Sequence, residues 1–338
     1  MWRHLLSAEW NEARRSGGRT FAAATLAVTV AALPVRAADP VFFRIGTGGV
    51  GGTYYPIATL IAEGIAEETL ASERPIIAAA QVSNGSTANI EGLASGLIEG
   101  GFAQANVVAW AYEGTEIFEG QPPRTDLRAI ANLYPETLHL VTDISSGIET
   151  IEDLEGRRVS LDEQGSGTLI DARMVLAAHD LSEADIVPEY MKPDLGLARI
   201  EEGRLDAFFI VAGTPVGTLE PFAEAGRLSL VSVAGEEIDQ LLDEYSFYSP
   251  VIIPEGTYEG VGAVETIGVG AQFVTTADAD EETIYRLTRA LWSDTVREKL
   301  DAGHPRGRQV LLTNALNGIA IPLHPGSERF YREVGLLP

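Results

Sequence analysis

The strongest constraint on how this chain folds is a junction that occurs three times. A run of strand-forming residues ends in a polar, glycine-bearing turn, and the turn opens a helix. Val41-Phe42-Phe43-Arg44-Ile45 reads as a buried strand, Gly46-Thr47-Gly48-Gly49-Val50-Gly51-Gly52 as the turn, and residues 53–68 as a helix with Ile57, Leu60, Ile61 and Ile65 on one face. Residues 76–82 give a second strand, Ser83-Asn84-Gly85-Ser86 supplies cap residues for a helix through Leu93, and residues 101–105 give a third strand. The third junction follows a strand at 158–161, where Gly165-Ser166-Gly167-Thr168 opens a helix to about His179. Strands alternating with helices predict an α/β fold with a mostly parallel sheet covered on both faces, and ligands at the carboxyl ends of its strands.

The 338 residues are enough for two lobes, each with its own core. Strand patterns continue at 127–134, 138–141, 205–211, 228–233 and 267–275, with a helix near 236–244 and one long amphipathic helix over 280–300. Tyr134-Pro135 and the stretch from Tyr248-Ser249-Pro250 to Pro254 read as two crossings between lobes. The expected division is therefore residues 38–134 with 265–338 in the first lobe, 135–250 in the second, and 251–264 as the return crossing.

Residues 1–37 form a different kind of segment. Arg3, Arg14, Arg15 and Arg19 precede an uncharged run from Phe21 to Leu33, and Val35 and Ala37 occupy the small-residue positions of a cleavage site. The pattern is that of a signal peptide cut after Ala37, which predicts a periplasmic protein; thirteen apolar residues are too few to cross about 30 Å of hydrocarbon as a helix. The full sequence carries a net charge of −25, and removing the leader takes five Arg against Glu9 and Glu12 to leave a value near −28. So acidic a surface repels nucleic acid, although a local cluster of backbone donors can still hold a small anion. The absence of cysteine excludes disulfides, thiolate nucleophiles and Cys-ligated metals.

Candidate chemistry concentrates at the glycine turns. Gly46, Gly48 and Gly51 fit G-x-G-x-x-G between a strand and a helix, the pattern of a dinucleotide site. The second strand, however, ends in Ala80-Gln81-Val82-Ser83, without the acidic residue that would bind a ribose, so a nucleotide-cofactor enzyme is the weaker alternative and no cofactor is expected. What survives of the motif is physical: glycines let backbone N–H groups approach a ligand, and a helix N-terminus favours an anion. The candidate ligand-binding residues are Gly48, Gly49, Thr53, Tyr54 and Tyr55 on the first turn, Ser83 and Ser86 on the second, and Gln104 and Asn106 after the third strand. Gly165, Ser166, Gly167 and Thr168 follow on the third turn, with Gly213 after the strand at 205–211. The remaining histidines, His139, His179, His304 and His324, are scattered without metal spacing, and neither a G-x-S-x-G elbow nor a Walker A lysine occurs. A binding protein is expected, not an enzyme, and no metal site.

The stretch Ile45-Gly46-Thr47-Gly48-Gly49-Val50-Gly51-Gly52-Thr53-Tyr54-Tyr55-Pro56 closely resembles the opening motif of the TAXI family of TRAP-transporter solute-binding receptors. Further segments agree in order: 85–90 (GSTANI), 102–106 (FAQAN), 153–160 (DLEGRRVS) leading to 165–168, and 253–258 (IPEGTY) with 267–271. The resemblance covers essentially the whole chain after the leader. It implies a two-lobed fold of the type II periplasmic-binding-protein kind, closing on a small organic anion such as glutamate or a 2-oxo dicarboxylate. It also implies ligand contacts on the first glycine loop with Tyr54 and Tyr55, on Ser86 and Asn89, on Gln104, and on Ser166 and Thr168, and partners that are the permease subunits of an ion-driven membrane transporter; the receptor is expected to be a monomer. Two departures stand out: Asn106 where the family commonly has Asp, and Asp162-Glu163-Gln164 where it has small residues. A periplasmic sensor that presents its ligand to a membrane kinase is the alternative.

Overall fold

The computed structural model describes residues 39–338; the expected signal peptide lies outside the described residues. The first lobe opens with β1 (Val41–Gly46), α1 (Tyr54–Thr69), β2 (Ile76–Gln81), α2 (Ser86–Ala94), β3 (Gly100–Gln104) and α3 (Ala105–Glu113), and β1 lies parallel between β2 and β3. The chain then enters β4 (Leu127–Asp143), a 17-residue strand. The second lobe continues through β5 (Arg158–Ser160), α4 (Gly167–Ala178), β6 (Val187–Glu189), α5 (Pro193–Glu201), β7 (Ala207–Ala212), α6 (Glu220–Glu224), β8 (Leu228–Val231) and α7 (Glu236–Glu244). Two more strands, β9 (Tyr248–Ile253) and β10 (Val264–Thr276), lead back to α8 (Glu281–Leu291), α9 (Asp294–Gly303) and α10 (Pro325–Glu333).

The strand order is β2-β1-β3-β10-β4-β7-β5-β6, with β8 on β4 and β9 on β10. The expected two-lobed α/β class holds, but the sheet is mixed, not mostly parallel. β10 runs antiparallel to β3, β4 and β9, and β4 runs antiparallel to β7. The crossings account for this. One end of β4, from Leu127 to Asn132, pairs with β10 beside β3, whereas Thr137 to Thr142 pairs with β7 in the second lobe. Tyr134-Pro135 is therefore the middle of a continuous strand, not a break between two. Pro135 is tolerated because register shifts interrupt the β4–β10 ladder close by. Likewise, 248–254 is not a loose crossing, since β9 spans most of it as a ladder on β10.

The first lobe buries Phe43, Ile45, Ile57, Ile61, Ile65, Phe102 and Phe273 between sheet and helices, as the helical face of residues 53–68 predicts. The second lobe buries Leu138, Val159, Leu161, Leu169, Val175 and Phe209. The long helix expected over 280–300 is two helices. Ser293 adopts extended backbone and its Oγ accepts from the Val296 amide at 3.3 Å, so α9 starts afresh and turns to pack on α1. No helix among the described residues is long and apolar enough to cross a membrane.

Candidate functional site

Four helix N-termini meet at one cleft between the lobes. The first residues and caps of α1 (Thr53, Tyr54), α2 (Gly85, Ser86), α4 (Ser166, Gly167) and α5 (Lys192, Pro193) all line it. Each terminus carries about half a positive charge from its aligned peptides, together with N–H groups lacking partners inside the helix, so four of them converging create a field for an anion. The cleft holds about 630 Å³, its open mouth included, and its floor and walls add Gln104, Glu136, Asp162, Glu163, Thr168, Ile210 and Val211.

Of the predicted residues, Gly48, Gly49, Thr53, Tyr54, Ser86, Gln104, Ser166, Gly167 and Thr168 line the cleft. The glycine loop approaches through ordinary backbone. Neither Gly48 nor Gly49 has positive φ, and a Cβ on Gly48 would meet nothing nearer than Tyr54 at 3.8 Å. The amides of Thr47 and Gly52 bond to the carbonyls of Gln81 (3.0 Å) and Gly49 (3.1 Å), while those of Gly48 and Gly49 have no acceptor among the described residues. Ser166 caps α4, its Oγ accepting from the Leu169 amide at 3.0 Å, and Thr168 Oγ1 accepts from the Val211 amide at 3.1 Å. Both hydroxyls can donate their own hydrogens, and the Asp162 carboxyl stands close enough to draw on them.

The other predicted residues lie around the cleft, not on it. Asn89 is buried behind the glycine loop, where its Nδ2 donates to the carbonyls of Thr47 (2.6 Å) and Phe102 (2.7 Å), and its Oδ1 accepts from Ser83 Oγ at 2.7 Å. These two side chains brace the loop. Gly213 joins the lobes, its amide donating at 3.0 Å to Oγ1 of Thr53 in the cleft lining. The carbonyl of Gly165 accepts from the Ala88 amide at 3.0 Å, and Asn84 Nδ2 donates to the Gln164 carbonyl at 3.0 Å, so the lobes also touch at the rim. Tyr55 is half-buried on α1 away from the cavity lining.

Asn106 belongs to a buried polar cluster beneath Gln104. Asp171 on α4 accepts from Gln104 Nε2 (2.8 Å), from Asn106 Nδ2 (2.8 Å) and from the Tyr248 hydroxyl (2.5 Å). Burial holds the Asp171 carboxyl up at about 7 against the pull of these three donors. The cluster ties α3 of the first lobe to α4 of the second and to β9.

Glu136, Lys192 and Asp194 are the charged lining residues that sequence reasoning missed. Lys192-Pro193-Asp194 is a helix-start signal, with Pro at the first helical position. Glu136 is an acid in the middle of a strand, next to a proline and flanked by buried residues, and that oddity was its only signal. Glu136 is 2% exposed, and its Oε2 accepts from the Tyr54 hydroxyl at 2.6 Å. Burial pushes its carboxyl up to about 8, and pushes Tyr54 well above its ordinary value, so the phenol stays a donor. Burial likewise lifts Asp162 to about 7. Lys192 is a cation in the lining, its Nζ 3.7 Å from Glu163 Oε2. Among the described residues no cluster of His, Cys, Asp and Glu could hold a metal.

Residues 45–335 match the NMT1-like family across nearly the whole described chain. The chain belongs to the NMT1-like family. Its fold is similar to that of a solved protein from Bordetella bronchiseptica RB50 (14% identity over 84% of this chain and 83% of that one, TM-score 0.54). It is similar also to a Xanthomonas citri protein solved bound to ATP (12% identity, 87% and 95% covered, TM-score 0.50). The alkanesulfonate-binding protein from Xanthomonas axonopodis pv. citri, solved bound to MOPS, shares 19% identity over 89% of this chain and 82% of its own, with a TM-score of 0.48. At such identities the likeness is one of fold. Membership of the NMT1-like family with this two-lobed architecture makes the interlobe cleft the place to look for function.

Proposed function

We propose that this protein is a periplasmic solute-binding receptor of the TAXI type, which captures a small organic carboxylate by closing its lobes and delivers it to the permease of an ion-driven transporter. The observation that carries the reading is the convergence of four helix N-termini on the cleft. They offer donors and positive potential to an anion without a cluster of cations. Residues 38–134 with 265–338 and residues 135–250 act as the two jaws, with β4 and β10 running through both at the hinge. The acidic lining limits the cargo, because Asp162, Glu163 and Asp194 disfavour an anion of high charge density. The cargo in this reading is glutamate or a 2-oxo dicarboxylate. A thermal-shift screen over amino acids, mono- and dicarboxylates tests the proposal. A ligand at 100 times its Kd stabilises by about 2.7 kcal/mol. No shift with any carboxylate, or turnover of one, refutes it.

A further inference from the structure

Glu136 is the most deeply buried of the acids in a cleft read as an anion site, and that reading does not explain its placement. It stands on β4 at the floor, almost wholly buried, with Oε2 bonded to Tyr54 and with no hydrogen-bond partner for Oε1 among the described residues. A buried carboxylate needs two or three donors or a bonded cation to remain ionised, and here it has one donor. The nearest influential cation, Arg306 beyond α9, directs its bonds to the Thr214 carbonyl and to Gln309 instead. Asp171 on α4 adds a repulsion, and Tyr134 on β4 contributes no charge while its phenol is held far above neutrality. Across the space stand Asp162, Glu163, Asp194 and Lys192. A neutral acid in that position has an O–H to donate, and the cleft is the open side.

We propose that Glu136 meets the solute's carboxylate as a neutral acid, its Oε1–H donating to a carboxylate oxygen while Tyr54 donates to Oε2, so that the bound state holds one proton between protein and solute. This rests on the carboxylate reading above and deepens it. The proton stays on Glu136 in the complex, and the ionised form is excluded because two negative oxygens would face each other in a space with little water. The about 8 to which burial already raises this carboxyl sets the range in which the effect is seen.

The sign follows from linkage. Affinity is complete below the carboxyl's titration and falls about tenfold per pH unit above it, which amounts to about tenfold between pH 7 and pH 9. The test is calorimetry with glutarate and with 2-oxoglutarate at pH 6, 7, 8 and 9, alongside a carboxyl ¹³C titration of Glu136 in the ligand-free protein. Glu136→Gln keeps a donor in place, so it should hold the pH 7 affinity within about threefold and remove most of the loss at pH 9. Glu136→Ala should bind at least tenfold more weakly at pH 7, with circular dichroism confirming that both variants fold. A parent affinity that is flat or rises from pH 7 to 9, or a Glu136 carboxyl ionised at pH 6.5, overturns the proposal. Absence of binding by any carboxylate at pH 6 overturns the receptor reading itself, whereas binding without pH dependence overturns only the role of Glu136.

Discussion

Replacing Gly167 with alanine separates lobe closure from lobe folding. Gly167 is the first residue of α4 in the second lobe, and its backbone is in a region open to any residue. A Cβ there would overlap Gln104 Oε1 and come within 2.5 Å of Gln104 Cδ and 2.7 Å of Ser86 Oγ, all in the first lobe. The clash therefore exists only when the lobes meet. To relieve it the Gln104 amide must leave Asp171, forfeiting a hydrogen bond to a carboxyl group, or the lobes must stay apart. Losing a bond to a charged partner costs about 1.5–3 kcal/mol, and overpacking a well-filled site costs about 1–3 kcal/mol. Either penalty, about 1–3 kcal/mol on closure, translates to about 5- to 150-fold weaker binding of any solute that needs the closed form. Within its own lobe the change is neutral to favourable, because alanine is the better helix former by up to about 1 kcal/mol. Calorimetry with 2-oxoglutarate should show the loss of affinity, and small-angle scattering should show a more expanded protein with ligand than the parent, at an undiminished melting temperature. Parent-like affinity and parent-like compaction would refute this account of how the jaws meet.

Further outcomes follow from the caps and the buried acids. Ser166→Ala removes the N-cap of α4 and should lower stability by about 1 kcal/mol in denaturant melts, with any larger loss of binding measured separately by calorimetry. Adding Thr168→Val leaves the Val211 amide without its acceptor and should destabilise by a further 1–3 kcal/mol or so. Burial raises Glu136, Asp162 and Asp171 above their unfolded values, so the stability linked to them is complete below about pH 4 and is lost as pH rises through about 7 to 8. The melting temperature should therefore decline from pH 5.5 to 8.5, and Asp171→Asn should flatten part of that decline. An Asp171→Asn protein with the parent's full pH dependence would show that this carboxyl does not titrate in the range.

Local pattern carried much of this protein. The alternation of strand and helix, the amphipathic face of α1, the polar turns opening α1, α2 and α4, and the strand positions of β1, β2, β5 and β8 are legible because burial along an element repeats with the element's own period. Helix caps are equally local, which is why the turns at Gly48, Ser86 and Ser166 arrive at the cleft as expected. What residue order could not convey was which partners meet after the chain returns. The antiparallel insertion of β10 between β3 and β4 joins residues more than a hundred positions apart, and nothing in Tyr134-Pro135-Glu136 announces a strand shared by two lobes. Sequence separation also hid Asp171, a polar residue on an otherwise ordinary helix until Gln104, Asn106 and Tyr248, 65 to 77 positions away, close around it. It also gave different work to chemically similar residues: Ser86 faces the cleft and Ser83 braces the loop behind it, since the direction of a hydroxyl depends on how two packed layers meet. Charge is the clearest case. Glu136 reads in sequence as one acid among 49, and its distinct chemistry arises from the water that the folded lobes remove from around it.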